Sequence, residues 1–188
     1  MKRVVFLVAF LGLLCVTASA QTKEETKTTY VVGALPCVLA APTVATETKY
    51  APVEKYDPAR NACKDIRDAL AEAKRSNRRV LLEVGGLWCV WCRHMDSFFD
   101  KQPASVALRE KGFVTVKVNW SEENKNEAVL SQYPKIGGFP HLFVLDANGA
   151  LVRSQDTGEL EEGKGYSVDK FNAFLLHWAT APAETAKN

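Results

Sequence analysis

Between residues 58 and 180 the chain alternates two kinds of hydrophobic spacing. Ala62, Ile66, Ala69, Leu70 and Ala73 recur at helical intervals, Lys64, Arg67, Asp68, Glu72 and Arg75 fall on the other side, and Ser76-Asn77 closes the run. Arg79 to Val84 is an apolar, β-branched run of strand length, and Gly85-Gly86 after it lets the chain turn. Met95, Phe98 and Phe99 return to helical spacing; Pro103 interrupts or restarts that helix before Val106-Ala107-Leu108, and Phe113 to Val118 is again strand-like. Ser121 is expected to cap a helix reaching about Gln132, with Ala128, Val129 and Tyr133 turned inward. His141 to Leu145 and Ala150 to Arg153 are apolar runs joined by Asp146-Ala147-Asn148-Gly149, a hairpin signal. Ser167 can cap a last helix striped by Val168, Phe171, Phe174, Leu175 and Trp178. The order helix, strand, helix, strand, helix, strand, strand, helix requires parallel pairing in its alternating part, and the hairpin adds antiparallel strands. An α/β domain with a mixed central sheet covered by helices follows.

The remainder of the chain does not repeat this pattern. Lys2-Arg3, the apolar run Val4 to Val16 and Ala18-Ser19-Ala20 have the three parts of a secretory signal peptide over residues 1–20, with cleavage expected after Ala20. That run is shorter than the roughly 20 residues a membrane-spanning helix needs, so no stable membrane insertion is expected after its removal. Cys15 offers a rival reading as a lipoprotein acylation site, but bulky Leu14 precedes it. Residues 21–57 read as an N-terminal extension or linker, with Gly33 and Pro36 breaking its one apolar stretch, and residues 181–188 as a disordered tail. At 188 residues the chain has room for one ordinary core. Acidic and basic residues balance once Lys2 and Arg3 are gone, which gives no basic field for nucleic acid or anionic lipid. Export would place the other four cysteines where disulfides persist.

The chemistry is concentrated in Trp88-Cys89-Val90-Trp91-Cys92, where a strand gives way to a helix. The spacing puts both thiols on one helical face, with Cys89 in the first turn. A Cys-x-x-Cys pair by itself is equally compatible with zinc or a structural bridge. As a staple it closes a very small loop and constrains the unfolded chain little, which favours exchange. A thiolate is the attacking species, and a cysteine at a helix N-terminus is activated by unpaired backbone N–H groups and the helix dipole.

An aromatic-flanked Cys-x-x-Cys after the buried Leu81-Leu82-Glu83-Val84, together with Gly137-Gly138-Phe139-Pro140 before a hairpin, resembles the thioredoxin superfamily over about residues 58–180. Within it the chain is most similar to exported bacterial thioredoxin-like proteins, including the soluble periplasmic domain of the thiol-disulfide interchange proteins. The resemblance implies a thioredoxin-like three-layer fold and a protein thiol-disulfide oxidoreductase, periplasmic or secreted, with Cys89 as nucleophile and Cys92 as resolving thiol. It implies a cis Pro140, with Phe139 and the rim residues Trp88 and Trp91 meeting an extended substrate segment. It aligns Glu83 with a buried acid beneath the second cysteine and Lys117 with the lysine that approaches that acid, as a proton path or as a plain ion pair. No cation lies between the cysteines, although Arg93 and His94 follow closely, so a moderately reducing pair is expected. The partners implied are a protein disulfide substrate and a membrane thiol-disulfide electron donor, and no cofactor. Two other readings stay open. Cys89, Cys92 and His141, with His94 less certain, could hold copper or zinc for delivery, or the fold could serve as a binding module without turnover. Cys37 and Cys63 either pair, tying the extension to the first helix, or stay separate as thiols.

Overall fold

The computed structural model describes residues 50–179. The expected leader, the extension up to residue 49, Cys37 and the tail over 181–188 lie outside the described residues. Cys63 is a disulfide-bonded cysteine.

Helix α1 (Ala62–Ser76) begins at Asn61, whose side chain accepts the Lys64 N–H, and ends at Asn77 in the left-handed region (φ 52°). The fold then passes through β1 (Arg79–Gly85), α2 (Val90–Lys101), α3 (Pro103–Gly112) and β2 (Phe113–Asn119). Pro103 restarts a helix, as its missing N–H permits at a first position. Strands β3 (His141–Leu145) and β4 (Leu151–Asp156) form the hairpin, with Gly149 at φ 89° in its turn. Sheet order is β2-β1-β3-β4; β1 and β2 are parallel and the other pairings antiparallel. The chain closes with α5 (Val168–Ala179).

Strand alternation sorts the core into two layers. Val80, Leu82 and Val84 of β1 meet Val114, Val116 and Val118 of β2 and the apolar stripe of α1. On the other face Leu81 and Phe113 meet Met95, Phe98 and Phe99 of α2 and Phe171, Phe174 and Leu175 of α5, an aromatic layer. Glu83 shares the face of Leu81, and Lys117, its register partner on β2, that of Phe113. A mixed sheet with helices on both sides is the expected architecture.

Several local expectations change. The helix over 121–132 shrinks to α4 (Glu127–Leu130). Ser121 caps nothing helical; its N–H bonds to Asn124 O, while Asn126 Nδ2 donates to Asn119 O and Asn119 Nδ2 to Asn124 O. Asparagine side chains here take the backbone partners a helix would have used. Val129 and Tyr133 are buried, but Ala128 is exposed. Glu72, placed on the polar side of α1, is buried between Arg75 and Arg78, and Val168 at the start of α5 is partly exposed. Beyond β4, a 3-10 turn (Thr157–Leu160) and a two-stranded ribbon, β5 (Glu161–Glu162) with β6 (Gly165–Tyr166), were not signalled by any period. Finally, the packing reaches back past Pro58. Val53 bridges Val116 in parallel fashion, Lys117 N–H donates to Val53 O at 3.1 Å, and Tyr56 is 5% exposed.

Candidate active site

Strand β1 delivers the chain to the dithiol through two glycines whose service is space. A Cβ on Gly85 would lie 2.4 Å from Cys92 Sγ and 2.9 Å from the Tyr56 hydroxyl, and one on Gly86 would lie 2.5 Å from Trp88 Nε1. Gly85 is a buried strand residue rather than part of a turn. Cys89 N–H then bonds to Gly86 O at 3.0 Å, and Cys89 takes an extended conformation (φ −80°, ψ 116°) as the N-cap of α2. It therefore stands just before the helix, not in its first turn. Its Sγ accepts the Cys92 N–H at 3.0 Å, a position normally filled by a serine or aspartate oxygen. Cys89 and Cys92 are joined as a disulfide with Cα atoms 5.2 Å apart, and both are buried. On reduction, a Cys89 thiolate would face helix N–H groups and the positive end of the dipole.

Tyr56, which packs with both cysteines, begins a chain of polar groups. Glu83, 1% exposed, accepts a hydrogen bond from the Tyr56 hydroxyl at 2.6 Å and has Lys117 Nζ 3.5 Å from the same oxygen. Lys117 Nζ also donates to Asp96 Oδ1, on α2. Half of the Asp96 side chain reaches solvent, whereas the Lys117 side chain is 9% exposed. The structure thus brings Glu83 and Lys117 together and adds two partners that sequence reasoning missed. Asp96 was visible in the spacing, since it follows Cys92 by four residues on one helical face. Tyr56 was not, because it stands alone in a stretch without period. Burial pushes the Tyr56 phenol well above its ordinary value, and the neighbouring Glu83 charge adds to the rise.

Aromatic side chains form the rim. Trp88 is half exposed, donates its indole N–H to Trp120 O at 2.7 Å and meets Trp120 and Phe139 edge-on. Trp120 and Phe139 lie against each other, 4.8 Å between ring centroids. Trp120, directly after β2, is a further rim residue that sequence reasoning passed over. Trp91 and Phe139 pack on the small cluster of Tyr56, Cys89 and Cys92. The Phe139–Pro140 peptide is cis, and Pro140 O accepts the Thr157 hydroxyl. Leu87 and Val90 expose apolar side chains beside Trp88.

The cations and histidines go elsewhere. Arg93 donates to Leu87 O, and His94 stacks edge-on against Trp91. His141, a possible metal ligand by its place after Pro140, is buried, with Nε2 2.8 Å from Ser154 Oγ on β4 and its ring against Phe143. Burial lowers its pKa, with Asp156 opposing and Arg153 reinforcing the shift. Among the described residues no group of three or more His, Cys, Asp or Glu side chains is placed to hold a metal, so the set drawn from Cys89, Cys92 and His141 is not assembled.

A family model for thioredoxin-like proteins matches residues 61–147. The thiol:disulfide interchange protein DsbD of Vibrio vulnificus is 28% identical over 88 residues, which are 47% of this chain and 15% of that relative. The chain therefore matches a small part of a much longer protein. A solved disulphide isomerase from Xylella fastidiosa Temecula1 superposes with a TM-score of 0.57 at 27% identity, covering 68% of this chain and 98% of that one. Sheet order, the disulfide at the start of α2, the matched family model and that superposition agree: the fold is thioredoxin-like, and the chain is similar to thiol-disulfide proteins of the thioredoxin superfamily.

Proposed function

We propose that the protein is an exported protein thiol-disulfide oxidoreductase working in the reducing direction, with Cys89 as nucleophile and Cys92 as resolving thiol. The observation that carries this reading is Cys89 at the N-cap of α2 with its sulfur on the Cys92 N–H, which favours a thiolate at that position. The Cys89 thiolate attacks a partner disulfide, forming the mixed disulfide and releasing one partner thiolate, which takes up a proton. Cys92 gives its proton to Glu83 and attacks the Cys89 sulfur. The Cys89–Cys92 bond forms, the bond to the partner breaks, and the electron pair leaves on the second partner sulfur, which is then protonated. The partner gains two thiols and this protein holds one disulfide. A membrane dithiol donor must return the electron pair before the next cycle.

Phe139, Pro140, Trp88 and Trp91 would receive the partner, and Cys89, 2% exposed in the disulfide state, requires this rim to part as the partner sulfur enters. The leader-like residues 1–20 and the helix-capped dithiol together support a compartment where a donor and disulfide substrates coexist. The test is reduction of insulin by the protein supplied with a dithiol reductant. Wild type is expected to turn over, Cys89→Ser to fall to the uncatalysed background, and Cys92→Ser to accumulate a mixed disulfide visible by mass. Full turnover by Cys89→Ser would remove the mechanism, and a mature protein beginning before Gln21 in an exporting host would remove the assigned cleavage site.

A further inference from the structure

The segment ahead of α1 runs along the edge strand β2 and reaches the dithiol from there. Val53 fixes it by a bridge to Val116 and by the Lys117 N–H to Val53 O bond, so it is anchored at the strand position that carries Lys117. Three residues later Tyr56 enters the cluster with Cys89 and Cys92. Its hydroxyl is 2.6 Å from Glu83 Oε1, and the Lys117 ammonium lies 4.8 Å from its ring centroid. The contact points around Gly85 place the Cys92 sulfur and the Tyr56 oxygen 2.4 and 2.9 Å from one spot. The phenol oxygen thus stands beside both the carboxylate and the resolving cysteine.

A phenol has one proton to donate, and here it goes to Glu83. Glu83's other neighbour, Lys117, is shared with Asp96 and pulls toward α2. The groups facing Tyr56 are Glu83 from β1, Lys117 from β2, Asp96 from α2, Tyr166 from β6 and the two cysteines. Because burial raises the phenol well above its usual range, it keeps its proton while thiols titrate and remains a donor throughout.

We propose that Tyr56 is a positioning residue for proton transfer at Cys92: its hydroxyl fixes the Glu83 carboxylate that takes the Cys92 proton, which makes Tyr56, ahead of α1, part of the redox site. This rests on the reading above, in which Glu83 accepts the Cys92 proton. Tyr56 loses no proton in the cycle. It sets where the accepting oxygen stands when the Cys92 S–H bond breaks and the new bond to Cys89 forms.

Tyr56→Phe keeps the ring and removes the hydroxyl. Insulin reduction near neutral pH is expected to fall about tenfold with a displaced pH profile, as loss of an aligned proton acceptor demands. The titration of the reduced thiols, followed by ultraviolet thiolate absorbance, is expected to move with it. In a Glu83→Gln background the same substitution should add little, since its effect runs through Glu83. Tyr50→Phe, on the same segment with its hydroxyl on Thr115 O, should leave both readouts unchanged. A wild-type profile and titration in Tyr56→Phe, or an undiminished effect in the Glu83→Gln background, would overturn the proposal. If Tyr56→Phe does not fold, Glu83→Asp withdraws the carboxylate from the phenol and is expected to give the same displacement; a wild-type profile there would overturn it equally. Wild type inert toward insulin while the thiol titration still responds to Tyr56→Phe would instead reject the exchange reading and keep the positioning role.

Discussion

Glu72 and Glu83 are both buried carboxylates, yet their surroundings are built for opposite ends. Glu72, on α1, is gripped by guanidinium groups: Arg75 donates to both oxygens at 2.8 and 2.9 Å, and Arg78 to Oε1 at 2.9 Å. Arg78 goes on to Glu110 O and Phe113 O, so the acid ties α1 to the α3–β2 junction. Glu83, on β1, has a phenol and one side of a lysine that Asp96 also claims. An arginine fork holds an acid in one place. A phenol and a shared ammonium orient the acid without saturating it with fixed positive charge. The comparison teaches that burial alone does not mark a chemical group; the kind of partner does.

Three substitutions test what these buried groups do. The largest effect is expected for Glu83→Gln, which should slow insulin reduction near neutral pH by about ten- to a hundredfold, the lower range for losing a general acid–base group, with a modest change in melting temperature. Glu72→Gln should show the reverse: exchange unchanged, and a stability loss of about 1–3 kcal/mol by urea unfolding, because a buried charge-assisted pairing is replaced by a neutral one. Comparable slowing by both variants would erase the distinction. The smallest effect concerns His141, bonded through one ring nitrogen to Ser154 while Nδ1 has no partner. Burial lowers its pKa in the folded state, so the unfolded chain binds a proton first as pH falls. Its contribution is therefore present above the ordinary histidine value of about 6.5 and is lost as pH drops through the lowered one. Unfolding followed across that acid range should give a shallower decline for His141→Gln than for wild type.

Much of the scaffold was legible because it rests on periodicity. The alternation in Arg79 to Val84 and Phe113 to Val118 and the stripes of α1 and α5 translate directly into the two core layers. The dithiol was legible because its spacing is local. What escaped was decided by partners distant in sequence or by competing local bonds. Tyr56 acquires its place only when Val53 finds Val116, a contact no pattern near Tyr56 announces. Trp120 matters because its carbonyl receives the Trp88 indole from 32 positions away. A cap at Ser121 and the spacing of Ala128, Val129 and Tyr133 read as a helix, but Asn119, Asn124 and Asn126 divert the backbone into a side-chain-bonded loop. His141 beside Pro140 could be read as a metal ligand, yet as the first residue of a central strand it is covered by its neighbours.

Gly85 carries a consequence for how this sequence can drift. The volume its side chain would fill belongs to the Cys92 sulfur and the Tyr56 hydroxyl. Positions 56, 85 and 92 therefore compete for one cavity, and none can enlarge unless another shrinks. An alanine at 85 is a heavy burden while Cys92 is present and becomes tolerable once a smaller residue replaces Cys92 and the phenol gives way. The three sites form an epistatic set, in which the permitted residue at one is read from the other two rather than from the strand that carries it.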